Sequence, residues 1–260
     1  MKHAIYKGTV KHSDNLIVHE TKELIRINKY ISSNGHYSRR EADKVIEAGL
    51  VSVNGVKASL GTKVTGEEKI TINGKDVYNK NLKRVYIMLH KPTGITCTND
   101  LNIPGNIRAY VNYPELIYPI GRLDKDSSGL ILLTNDGDIV NKILRAEGGH
   151  EKEYVVTVDK DYDDEFLKNM AAGVLILNQV TNKMQVTKKC KIKKLDQRTF
   201  KLILQQGLNR QIRRMTETLG YKVKSLKRIR VMNVRLGDLK VGEWRYLTDK
   251  ELKIINELIK

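Results

Sequence analysis

The run Gly129-Leu-Ile-Leu-Leu-Thr134 constrains this chain more than any other segment. Its four consecutive aliphatic residues are too few for a helix and are bounded on both sides by polar turn residues, so the run reads as a buried strand. On the C-terminal side, Asn135-Asp136-Gly137 forms a turn, and Asp138 is placed to cap a helix carrying Ile139, Ile143 and Leu144. On the N-terminal side lies a loop dense in polar groups: Arg122, Asp124, Lys125, Asp126, Ser127 and Ser128. A carboxylate beside an arginine, presented at a strand edge, has what a nucleophilic or electrostatic carboxylate needs. The bland alternative is that these acids cap turns, and for any single Asp spacing alone favours it. No second carboxylate is obviously paired with Asp124, which argues against a glycosidase-type acid/base couple. The absence of a GxxxxGK[ST] loop argues against a nucleoside triphosphatase.

Charge points to the partner. Lys and Arg outnumber Asp and Glu by 47 to 30, a net charge of +17. Most of that excess lies between Lys183 and Arg235, where 17 cationic residues face only Asp196 and Glu217. A basic surface kept for solubility would spread its charge, whereas a concentrated field suits the phosphates of RNA or DNA. Cys97 and Cys190 are far apart in sequence and form no CxxC pair, so neither a disulfide scaffold nor a zinc site is expected, and a reducing compartment fits. No apolar run follows Met1, and no stretch approaches the ~20 apolar residues of a membrane helix, so no membrane association and a cytoplasmic location are expected.

Residues 1–24 are polar and aperiodic and read as a loosely ordered N-terminal extension. Residues 25–80 read as a small domain. Ile27, Tyr30 and Ile31 have helical spacing, and Asn34-Gly35 stops that helix. Ser38 and Glu41 form a capping box for a second helix with Ala42, Val45 and Ile46 facing inward. Val51, Val53 and Val56 flank the hairpin turn Asn54-Gly55, and Asn73-Gly74 closes a second hairpin after Ile70-Thr71-Ile72. The stretch RINKYISSNGHYSRREADKVIEAGLVSVNG resembles the S-four-type RNA-binding module. That resemblance implies that Lys29, Arg39, Arg40 and Lys44 meet RNA phosphates. The Arg39-Arg40 pair beside a helix N-terminus agrees with it, because that end already attracts anions.

A polar linker, DVYNKNLKR, leads to a second domain over residues 84–260. Strands and helices alternate there without a regular βαβ series, so an α+β domain with a mixed, mostly antiparallel sheet is expected. Thr248 and Glu251 cap its last helix, with Leu252, Ile255 and Ile259 inward. Asn209 is placed to begin a helix on which Ile212, Met215 and Leu219 face inward, and on which Arg210 and Arg213 share a face with Arg214 nearby. QVTNKM followed by QVTKKC, residues 179–190, reads as a small duplication in a loop.

Four ordered segments of this domain resemble the ribosomal-RNA pseudouridine synthases that carry an S-four-type module. They are LHKPTGI, GRLDKDSSGLILLTNDG, HEKEYVVTV and QGLNRQIRRM, and the likeness spans roughly residues 25–256. The resemblance implies a central cleft and isomerisation of a uridine, with no cofactor and no metal. It makes Asp124 the nucleophile. It makes Tyr154 the ring that stacks on the flipped base, although without it Tyr154 reads as a core tyrosine of an alternating strand. Arg213 becomes the basic partner of Asp124, with Arg210 and Arg214 at the rim or on phosphates, and Arg210 able to exchange roles with Arg213. Arg122 is implied to contact the RNA backbone. The implied partner is a stem-loop of large-subunit ribosomal RNA, with a transfer-RNA anticodon stem-loop as the alternative. Competing readings are a noncatalytic RNA-binding assembly protein and a nuclease or base-removing hydrolase. No heptad seam is visible, so a monomer is expected.

Overall fold

In the computed structural model, residues 3–7, 24–35, 37–77, 83–144 and 149–259 are described. Most of the expected extension, the centre of the expected linker and residues 145–148 lie outside them.

The chain opens with an element that the sequence does not announce. Residues 1–24 read as an aperiodic tail, but β1 (Ile5–Tyr6) pairs in parallel with a strand near the C-terminus, Ile5 opposite Glu243 and Tyr6 opposite Trp244. Ala4 N–H donates to the Tyr110 carbonyl, and the Tyr6 ring lies 4.6 Å from that of Trp244. Two residues are too few to show a period of two. A free sheet edge supplies their backbone partners.

The small domain follows the expected pattern. It comprises β2 (Ile25–Arg26), α1 (Ile27–Ser33), α2 (Arg39–Glu47), β3 (Val51–Val53), β4 (Val56–Lys57), β5 (Lys63–Val64), β6 (Ile70–Ile72) and β7 (Lys75–Asp76). The Ser38–Glu41 capping box forms. Both residues of Asn54-Gly55 and of Asn73-Gly74 take positive φ, the backbone that a tight hairpin turn requires. Ile27, Tyr30, Ile31, Ala42, Ile46, Val51, Ile70 and Ile72 share one apolar cluster.

The larger domain runs through β8 (Tyr86–Lys91), α3 (Ile107–Val111), β9 (Tyr118–Ile120), β10 (Ser128–Thr134), α4 (Gly137–Leu144), β11 (Lys152–Val158) and α5 (Asp164–Ala172). It continues through β12 (Leu175–Asn178), β13 (Lys183–Val186), β14 (Lys191–Lys194), β15 (Thr199–Leu204), α6 (Gln211–Thr218), β16 (Val223–Val231), β17 (Val234–Arg235), β18 (Glu243–Tyr246) and α7 (Asp249–Leu258). Ten strands form one sheet in the order β1-β18-β8-β10-β16-β11-β15-β14, with β9 on β10 and β17 on β16. Only β1·β18 and β10·β16 pair in parallel among the described strands. The protein is therefore α+β with a mixed, mostly antiparallel sheet.

The central strand β10 explains its own sequence. Ile131 and Leu133 enter the apolar cluster on one face, and Leu130 and Leu132 enter the cluster on the other. A strand covered on both faces selects apolar residues along its middle, and each such side chain contributes about 1.5–3 kcal/mol by burial.

Three local expectations need correction. Asp138 does not cap α4: Gly137 begins the helix, and Asp136 Oδ1 accepts from Asp138 N–H. Asp136 is held by Arg84 and the Tyr86 hydroxyl, and burial together with that carboxylate pushes the Tyr86 phenol well above its ordinary value. Asn209 does not begin α6: Arg210 precedes it in left-handed conformation, φ 48°, and Asn209 Oδ1 instead accepts from Arg214. The QVT segments are not a duplication in a loop. The first copy forms the turn between β12 and β13, and the second begins within β13.

Candidate active site

The site begins where β9 hands over to β10. These strands pair antiparallel with Ile120 opposite Leu132, so residues 121–127 must bulge out at the sheet end as a loop. Leu123 and Ser127 point inward, 6% and 1% exposed, and Asp124 between them remains 31% exposed at its side chain. Asp124 C=O accepts from Ser127 N–H, and Gly94 N–H donates to the Lys125 carbonyl at 2.8 Å. The loop is thus fixed by its own turn and by the segment after β8.

Two arginines approach the carboxylate, Arg213 from α6 and Arg210 from the position just before it. Arg213 Nε and Arg210 Nη1 each lie 3.6 Å from Asp124 Oδ2. That is ion-pair distance, longer than a hydrogen bond. Arg213 is 10% exposed at its side chain, and its Nη2 donates to the Asp126 carbonyl at 3.1 Å and to Ser127 Oγ at 3.2 Å. Its Nη1 donates to the Val223 carbonyl. Arg213 therefore cannot swing without losing several bonds. Arg210 is 40% exposed and also reaches Asp126 at 3.9 Å. The expected division between the two arginines gives way to a shared one: both face Asp124, one buried and fixed by further hydrogen bonds and one exposed.

Tyr154 lies on β11, 9% exposed, opposite Leu202 on one side and Arg228 on the other. Arg228 in turn stands opposite Gly129. Tyr154 belongs to the same apolar cluster as Leu123 and Ile212, the residues preceding Asp124 and Arg213. Arg214 departs from expectation. It donates to the Leu177 carbonyl and to Asn209 Oδ1, so it ties the β12–β13 hairpin to α6.

Asp124 opens onto a cleft of about 2350 Å³ between the two domains. Arg122, Lys125, Arg108 and Arg210 line it from the catalytic side, and Lys29, Arg39, Arg40 and Lys44 from the small domain. Lys29 and Arg39 do not simply face solvent, as expected for phosphate ligands. They meet Asp138 of α4 at 2.9 and 3.6 Å. Among the described residues no cluster of His, Cys, Asp and Glu has metal-binding geometry. No helix among them is long and apolar enough to cross a membrane.

Sequence reasoning missed two buried cations beneath the loop. Lys91 is fully buried, donating Nζ to the Pro92 and Ile95 carbonyls at 2.7 and 2.9 Å, and burial pushes its ammonium down to about 8. Arg228 is 3% exposed and donates Nε to the Leu130 carbonyl at 2.7 Å. A lysine two positions beyond the apolar run Tyr86–Leu89, after His90, was a readable signal for the first. Arg228, one of several cations alternating along β16, carries no local signal.

Comparison with known proteins agrees with this architecture. Residues 85–218 match the RNA pseudouridylate synthase family, and residues 25–70 match the S4 domain. Over 236 residues the chain is 52% identical to the dual-specificity RNA pseudouridine synthase RluF of Escherichia coli O157:H7, covering 90% of this chain and 79% of that protein. It is 37% identical to ribosomal large subunit pseudouridine synthase B of Bacillus subtilis, covering 90% and 96%. A crystal structure of a pseudouridylate synthase superposes with a TM-score of 0.65 at 31% identity, covering 89% of this chain and 99% of that one. With an Asp-bearing loop at a basic cleft, and with matches to both domains, this chain belongs to the RNA pseudouridylate synthase family and is an RNA pseudouridine synthase with an N-terminal S4 domain.

Proposed function

We propose that the enzyme converts one uridine of a large-subunit ribosomal-RNA stem-loop to pseudouridine, with Asp124 as nucleophile. The observation that carries this reading is the Asp124 carboxylate at a cleft edge with Arg210 and Arg213 both 3.6 Å away. The reaction breaks the bond from the ribose C1′ to uracil N1. The base turns over, C5 joins C1′, the C5 proton leaves and N1 gains one. No electrons change hands, so the chemistry calls for no cofactor.

A paired base is out of reach, so the target uridine leaves the stack at a cost of a few kcal/mol. Phosphate contacts from Arg122, Arg40, Lys44 and Arg210 along the cleft offset that cost. Arg213 holds the nucleophile still, and Tyr154 supplies the ring against which the extruded uracil stacks. The relative that is 52% identical bears the name of a dual-specificity RNA pseudouridine synthase, which supports a second RNA substrate, and a transfer-RNA anticodon stem-loop is the one we propose.

The test uses RNA tritiated at uracil C5. Wild-type enzyme releases the label without shortening the RNA, and Asp124→Asn abolishes release while binding the RNA within about threefold of wild type. Normal release by Asp124→Asn would remove the aspartate from the mechanism. Mapping pseudouridine in ribosomal and transfer RNA of a deletion strain fixes the substrate: an unchanged large-subunit RNA would rule out the ribosomal target.

A further inference from the structure

We infer that Arg228 is a positioning residue for Asp124: it is the buried strut that holds the two ends of the nucleophile loop, as Arg213 holds its middle. The inference rests on the reading of Asp124 as the nucleophile.

The backbone geometry comes first. β16 runs parallel to β10 for only two residue pairs, Ser128 with Lys227 and Gly129 with Arg228, where the loop rejoins the sheet. Gly129 has φ 108°, and a Cβ there would sit 2.2 Å from the Arg228 carbonyl oxygen and 2.6 Å from its nitrogen. Only glycine admits so close an approach, and the contact is backbone on backbone, so no side-chain motion relieves it.

From that point the Arg228 side chain turns back under the loop. Nε donates to the Leu130 carbonyl at 2.7 Å, just past the end of the loop. Nη1 reaches the Arg122 carbonyl at 3.5 Å, two residues before Asp124. One rigid guanidinium therefore spans both ends of the segment whose middle Arg213 holds through Asp126 and Ser127.

The energetics argue that this arrangement is not there for stability. Arg228 Nη2 is buried without a hydrogen-bond partner among the described residues, and a second buried cation, Lys91, repels it. A buried charge with incomplete partners is less favourable than an apolar side chain of similar volume. What the guanidinium supplies and an apolar residue cannot is a fork of fixed geometry joining two carbonyls. Placement of a nucleophile to within a fraction of an ångström is where such rigidity matters, because a 1 Å error costs about 100-fold in rate.

The test measures single-turnover tritium release and RNA affinity separately, with full-length enzyme and unmodified ribosomal RNA transcribed in vitro. Arg228→Met is expected to slow release about 100-fold with the dissociation constant within about twofold of wild type. Arg228→Lys, which keeps charge and bulk and can satisfy one carbonyl, is expected to lie between. Millimolar guanidinium is expected to restore part of the rate to Arg228→Ala and none to Asp124→Asn, and the loss of rate at unchanged affinity is what separates positioning from a general structural role. Should Arg228→Met fail to fold, Arg228→Lys decides: a rate within twofold of wild type overturns the inference. Affinity lost in step with rate overturns it too, because Arg228 would then be an RNA contact. If Asp124→Asn is inactive and the Arg228 variants are fully active, only the positioning role falls. If Asp124→Asn is active, the nucleophile assignment falls first.

Discussion

Asp124 and Asp138 line the same cleft, are almost equally exposed at 31% and 32%, and each faces two cations. Their settings differ in what holds the cations. Lys29 and Arg39, 36% and 48% exposed, reach Asp138 from the small domain on long side chains, and such pairs contribute about 0–1 kcal/mol. Arg213 reaches Asp124 from a buried position, with Nη2 committed to the same loop and Nη1 to the Val223 carbonyl. One pair is a latch that solvent or a phosphate can exchange, and the other is a preorganised site. Charge type and spacing do not separate them; burial and the second set of hydrogen bonds do.

The comparison can be broken most forcefully at Arg213. Arg213→Gln removes the fixed cation and leaves the Asp126 carbonyl and Ser127 without their donor, so tritium release is expected to fall about 1,000-fold. A loss under tenfold would make Arg213 no different from Arg39. Next in size is the backbone under the loop. Gly129→Ala is expected to cost about 2–3 kcal/mol in urea unfolding, from positive φ and a backbone clash. Gly55→Ala, also at positive φ (83°) but with open space around it, is expected to cost about 1 kcal/mol. Equal losses would show that the close approach to β16 carries no energy.

A third test sharpens the contrast through pH. Burial lowers the Lys91 ammonium to about 8, below its unfolded value near 10.5. The unfolded chain therefore binds more protons between those values, and stability contributed by this group rises as pH increases from about 8 toward 10.5. Wild type minus Lys91→Met, measured as the urea midpoint across that range, is expected to show this rise; a flat difference would mean that Lys91 is not desolvated. The smallest effect belongs to the latch. Asp138→Asn frees Lys29 and Arg39, so RNA binding is expected to tighten about two- to fivefold at low salt and to converge with wild type at high salt, with stability changed by less than about 1 kcal/mol. Weaker binding would mean that the latch orients the small domain for RNA.

Much of this was legible in the residues. The Ser38–Glu41 and Thr248–Glu251 boxes, both Asn-Gly hairpins and the buried strand at Gly129–Thr134 are local signals with local causes, and they formed. Local reasoning went astray where the partner was distant. Ile5–Tyr6 became a strand because β18 offered an edge, Asp136 displaced Asp138 as the cap because Arg84 and Tyr86 hold it, and Arg214 turned to a hairpin whose position no spacing reveals.

The sequence by itself determined the two-domain plan, the caps and turns, and the polar loop carrying Asp124, because each depends on residues within a few positions of one another. The Arg213–Asp124 pairing was legible only through the family resemblance, and the tertiary structure alone decided how that pair is held and that Arg210, Lys29 and Arg39 also meet carboxylates. Arg213 and Asp124 are 89 positions apart, and Arg228 and Arg122 are 106 positions apart. What joins them is the parallel seating of β16 on β10, set by packing on both faces of the sheet and by a glycine small enough to let two backbones touch.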